Sequence, residues 1–96
     1  MLNISILCVG KLKERFYTEA AAEYVKRLGG YCRLNLAELP EERLPERPSR
    51  AQIDAALVRE GEALLQRIPK GALAVALCVE GRLLSSEDLA RRMSDW

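Results

Sequence analysis

Residues Leu73–Ser86 read LAVALCVEGRLLSS, and the fold class turns on how they are read. Leu73–Val79 is an unbroken apolar run, the composition of a parallel strand covered on both faces. Glu80-Gly81-Arg82 turns the chain. Ser85-Ser86-Glu87-Asp88 is a helix-start signal, with two acids placed where they complement the positive end of the helix dipole. A buried strand that feeds a loop into a helix is where open α/β proteins bind their ligands.

Working back toward the N-terminus, the same alternation recurs. Asn3–Val9 (NISILCV) is short, β-branched and almost wholly apolar, which predicts another doubly covered strand ending at Gly10. Tyr17, Ala21, Tyr24, Val25 and Leu28 recur at helical spacing and predict a helix over about 12–28. Gly29-Gly30 is expected to stop it, with a glycine in the left-handed position after the last turn. Cys32–Leu39 begins with strict alternation, Cys32, Leu34 and Leu36 against Arg33 and Asn35, and predicts a strand with one wetter face. Pro40 closes it, and the charged, proline-containing segment Glu41–Pro48 reads as a surface loop. Ser49-Arg50-Ala51-Gln52 is a capping box that opens a helix running to about Ile68. Ile53, Leu57, Leu64 and Ile68 mark its expected buried stripe, with Ala56 and Leu65 beside it. Gly61 is expected to allow a close approach. Pro69-Lys70-Gly71 ends that helix. After the Ser-Ser start, Leu89, Met93 and Trp96 form the apolar stripe of a further helix. The fold class is therefore α/β: an open, mostly parallel sheet in the order βαβαβα, with right-handed crossovers, within a single domain over residues 1–96.

Composition narrows the chemistry. The 96 residues carry a formal net charge of +1, which is not the bulk charge of a nucleic-acid binder. The charge is uneven, +3 up to Ala37 and −2 from Glu38 to Pro48, so any basic surface lies near Lys11, Lys13 and Arg15. There is no histidine, so neither a Ser-His nor a Cys-His pair can form. Cys8, Cys32 and Cys78 lack metal-ligand spacing, which predicts no metal site and three buried free thiols in a reducing cytoplasm. No phosphate-binding glycine motif is present. Glu38 and Glu80 stand near the C-terminal ends of expected strands. On residue chemistry alone the reading stops at a small cytoplasmic α/β domain.

Three blocks resemble a known family. They are Ile4–Glu14 (ISILCVGKLKE), Ala22-Glu23-Tyr24 through Lys26-Arg27-Leu28, and Arg59–Glu62 together with Leu77 through Gly81-Arg82-Leu83-Leu84-Ser85-Ser86. In this order and spacing they resemble the N-terminal part of the ribosomal RNA large-subunit methyltransferase H family, which belongs to the SPOUT (α/β-knot) methyltransferases. The resemblance implies a homodimeric enzyme that transfers a methyl group from S-adenosyl-L-methionine to N3 of a pseudouridine in large-subunit (23S) rRNA of the assembled ribosome, without a metal. It implies cofactor contacts at Leu77 and Gly81, and it identifies no catalytic residue. Cys78 stands where that family has an acid, and Arg82 where it has Lys.

The family continues beyond a helix like that at Leu89–Trp96 with a further strand, a knotted segment and a C-terminal helix. The resemblance thus covers an N-terminal portion, with the knot-forming segment absent and the 96 residues alone expected to be inactive. The alternative is a non-catalytic α/β scaffold or an RNA or assembly module derived from that family. A flavodoxin-like nucleotide-binding domain is a third reading, weakened by the missing phosphate loop.

Overall fold

The computed structural model describes residues 2–96. Its centre is a parallel pair of strands, β1 (Leu2–Val9) and β2 (Cys32–Leu39), in one-to-one register from Leu2 opposite Cys32 to Val9 opposite Leu39. Helix α1 (Arg15–Leu28) joins them and packs on β2. Helix α2 (Arg50–Arg67) follows β2 and packs back on β1, and α3 (Ser86–Asp95) comes last. The parallel ladder and its helical crossover are the α/β arrangement that the apolar periodicity requires.

Partners in a parallel ladder share a face, so Ile6 with Leu36 and Cys8 with Glu38 project to one side. There they meet Ala21, Tyr24, Val25 and Leu28, four of the five residues of the expected α1 stripe, around a gap of about 340 Å³. The cysteines of the strands act as small packing groups. The Cys8 thiol donates across the ladder to the Ala37 carbonyl at 3.6 Å, and Cys32 donates to the Leu28 carbonyl at the end of α1 at 3.7 Å.

Local chemistry sets the helix ends. Glu14, in extended conformation, is the N-cap of α1, so the helix starts at Arg15 and not near Leu12. Gly29 caps the other end with φ −58°, so the expected left-handed glycine is not used. The Gly29 and Tyr31 N–H groups instead close turns onto Lys26 and Leu28. In α2 the capping box is complete. The Gln52 N–H donates to Ser49 Oγ at 3.2 Å, and the Ser49 N–H donates to Gln52 Oε1 at 2.8 Å. Gly71 has φ +82° at the third position of the Pro69–Ala72 turn, a conformation open to glycine at little cost.

Three expectations are corrected. The inward side of α2 runs through Ile53, the buried Ala56, Glu60 and Leu64, whereas Leu57 is 60% exposed and Leu65 faces water as well. The helix is rotated toward its smaller residues because Ala56 lets it approach β1 closely. Gly61 does not serve a close contact, since a Cβ there would meet nothing within 4 Å. Third, Leu73–Val79 is neither helix nor strand. All seven residues are exposed, Leu77 to 91%, and so is Cys78, which was expected to be buried. An apolar run gains by joining a parallel sheet only when both sheet faces are covered. Among the described residues the sheet has two strands, and no element covers a third.

The consequence is a large apolar surface. The accessible area is 8843 Å², against about 5,500 Å² for a folded monomer of this mass. The radius of gyration is 15.9 Å, against about 12.5 Å for a compact domain of this length. Among the described residues, only Cys32, Leu39 and Ala56 form the buried apolar core.

Two measurements follow. Gly61→Ala should raise stability by about 1 kcal/mol, because it removes a helical glycine without a new contact; a denaturant midpoint that falls would contradict the open surroundings of Gly61. Residues 1–96 on their own should associate as concentration rises, through the exposed Leu73–Leu84 surface. Light scattering that stays monomeric up to millimolar concentration would contradict this.

Candidate functional site

Both strands end at one edge of the sheet, and the segments that leave this edge carry the candidate residues. Gly10, at φ +91°, turns the chain out of β1 while its N–H donates to the Leu39 carbonyl at 2.7 Å. The Leu12 N–H donates to Glu38 Oε2 at 2.9 Å, so the last acidic side chain of β2 holds the β1–α1 loop. The loop after β2 is tied to α2: the Glu42 N–H donates to Glu60 Oε2 at 3.0 Å, and Arg59 pairs with Glu42 at 3.3 Å. Arg59 and Glu60 belong to one of the quoted family blocks, and these contacts give them a structural task.

The two expected cofactor residues lie together in the segment before α3. Leu77 points no contact into a pocket, being almost wholly exposed. Gly81 closes a tight turn, its N–H donating to the Cys78 carbonyl at 3.1 Å. A Cβ at Gly81 would lie 3.1 Å from that same oxygen, a tight contact that the turn would have to relax by a few tenths of an ångström. Cys78, Glu80 and Arg82 around it are all exposed. The turn thus offers backbone and one large apolar side chain, but no described residue faces them. S-adenosylmethionine needs an enclosing site for its adenosine and sulfonium, and residues 73–84 do not enclose one.

The turn is followed at once by a well-made helix start. Ser85 is the N-cap of α3, and its Oγ accepts from the Asp88 N–H at 3.0 Å. The Arg91 guanidinium beside the Asp88 carboxylate, together with the hydrogen bonds from Ser85, holds that carboxyl below its ordinary value of 3.8. Leu84, Asp88, Arg91, Arg92, Asp95 and Trp96 line an open groove of about 580 Å³ along this helix. That groove was not foreseen, because its residues lie on no single apolar or basic stripe. The other acid expected near a strand end, Glu38, does sit at the sheet edge, and the structure spends it on the Leu12 amide.

A parallel β-α-β unit followed by two further helices defines an α/β scaffold. The family model described as "Predicted SPOUT methyltransferase" matches residues 2–96, and the chain belongs to that family. It is similar to proteins named ribosomal RNA large subunit methyltransferase H. The one from Limosilactobacillus reuteri (strain DSM 20016) is 41% identical over 93 residues, covering 97% of this chain and 58% of the relative. The one from Ligilactobacillus salivarius (strain UCC118) is 40% identical over 94 residues, covering 98% and 59%. The one from Moorella thermoacetica is 41% identical over 95 residues, covering 99% and 59%. The chain therefore spans somewhat under two thirds of the length of these relatives. No helix among the described residues is long and apolar enough to cross a membrane.

The lowered Asp88 carboxyl has a pH consequence. A carboxylate depressed on folding contributes stability above its unfolded value of about 3.9, and that stability is lost as pH falls through the lower folded value. The first turn of α3 should therefore loosen below about pH 4. Amide resonances of Glu87–Leu89 followed by NMR should show this, and Asp88→Asn should remove the dependence. A titration unchanged in the variant would contradict it.

Proposed function

We infer that this chain is the N-terminal portion of a methyltransferase acting on large-subunit ribosomal RNA. The observation that carries the reading is the match of the whole described chain to the SPOUT methyltransferase model, joined to about 40% identity with relatives that bear that name. The wider family points to S-adenosyl-L-methionine as methyl donor. The finer reading is transfer to N3 of a pseudouridine in the assembled ribosome by a homodimer, within one domain to which residues 1–96 contribute.

The residues in hand support this reading in a limited way. The donor brings an activated methyl group, so the protein's part is to hold donor and base in line and to let the N3 proton leave. In this reading Leu77 and the Gly81 backbone form one side of the donor site, and Arg82 adds a charge at its rim. The remaining wall is supplied by other parts of the enzyme or by a second copy.

The whole protein that carries this sequence should place label from methyl-labelled S-adenosylmethionine into large-subunit rRNA of purified ribosomes, at a single modified pseudouridine found by mass spectrometry. Residues 1–96 alone should show no stoichiometric binding of S-adenosylmethionine by calorimetry. Label confined to other RNAs or to protein would overturn the substrate reading. Tight binding of ribosomes with no methyl transfer would favour a non-catalytic assembly module.

A further inference from the structure

The β1–α1 loop is more firmly built than an exposed five-residue connection needs to be. Gly10 is anchored to Leu39 through its N–H, with φ +91°. Leu12 is anchored to Glu38, which lies 26 residues away in sequence. The Glu41 side chain lies over Gly10, its Oε1 2.7 Å from where a Cβ would stand. Between and beside these anchors, Lys11 and Lys13 are exposed, and among the described residues neither forms an ion pair. The next cation is different: Arg15 is engaged by Glu19 at 2.8 Å.

The charges around the loop decide what it can bind. Glu14, Glu38 and Glu41 are the nearby acids, so the local field is close to neutral and will not steer a polyanion from a distance. What remains is two ammonium groups on a fixed turn at the C-terminal edge of a parallel sheet, the edge where such folds meet ligands. Short-range contact with backbone phosphates suits that arrangement. Lysine serves phosphate as a point charge, so it needs a placed backbone more than a shaped fork.

We propose that Lys11 and Lys13 contact backbone phosphates of the RNA substrate, and that Glu38 is a positioning residue which fixes their loop through the Leu12 amide. The proposal rests on the RNA-substrate reading above. Glu38 touches no substrate. Its carboxylate can be replaced by any group that accepts from Leu12 N–H at the same place, so Glu38→Gln should preserve the loop where Glu38→Ala releases it.

The test is binding of the whole protein that carries this sequence to 70S ribosomes as a function of salt. Each phosphate contact contributes a slope of about 0.7–0.9 to the fall of log K with log salt. K11A/K13A should lower that slope by about 1.4–1.8, and K11R/K13R should restore it. E38A should weaken binding several-fold at fixed salt, and E38Q should recover most of it. The lysine variants should keep the wild-type circular dichroism and melting temperature, because Lys11 and Lys13 are exposed and form no ion pair among the described residues. An unchanged slope in K11A/K13A overturns the phosphate contact while leaving the methyltransferase reading intact. E38A binding like wild type overturns the positioning role. Absence of salt-dependent ribosome binding by the wild-type chain overturns this proposal and the RNA-substrate reading together.

Discussion

The one-to-one parallel ladder between Leu2–Val9 and Cys32–Leu39 is the constraint that the rest of the molecule answers to. A parallel pair cannot be joined by a tight turn, so the chain must cross over through a helix, and α1 is that helix. The ladder also brings both C-terminal ends to the same edge. That is why the Leu39 carbonyl can receive the Gly10 amide and Glu38 can receive the Leu12 amide. Loop geometry at this edge therefore follows from strand register. A slip of one residue would turn Glu38 to the other face and remove the acceptor.

A parallel sheet also needs cover on both faces, and here the cover is incomplete. Helix α1 lies on one part of the ladder and α2 on another, leaving half-exposed aliphatic residues around a gap under α1. The free edge of β1 is the natural place for Leu73–Val79, because α2 already leads the chain from β2 back across β1. Pairing there would add main-chain hydrogen bonds but would leave one face of an apolar strand in water until a further layer arrives. The relatives are longer by more than half of this chain's length, which is ample for such a layer.

Features decided within a few residues were legible in the sequence. Ser49 with Gln52 and Ser85 with Asp88 cap their helices as read, because a cap depends on one side chain and the amide three positions on. The alternation of Cys32–Leu39 marked a strand at the bounds observed. Features that depend on partners distant in sequence were read less well. The apolar content of Leu73–Val79 states a preference for burial but not which neighbour satisfies it. The facing side of α2 was misplaced toward Leu57 because periodicity weighs hydrophobicity, whereas close packing on β1 favours the small Ala56. The task of Glu38 was hidden for the same reason: its partner is a backbone amide, and backbone amides carry no sequence signal.

The pleat also divides the side chains of Leu73–Val79 between two surfaces. In any strand formed by Leu73–Val79, Leu73, Val75, Leu77 and Val79 share one face, and Ala74, Ala76 and Cys78 share the other. One face is uniformly large and the other uniformly small. The small face admits a close neighbour, as Ala56 does for α2, and is the side on which a helix can settle. The large face is then the one left for an adenosine or a further apolar layer. On this division Leu77 and Cys78 do not serve the same surface. Residue 78 would then turn its side chain to the packed side, while its carbonyl holds the Gly81 amide. A change of side chain at 78 would therefore alter the packed side while keeping the turn, since the turn's hydrogen bond is made by the backbone.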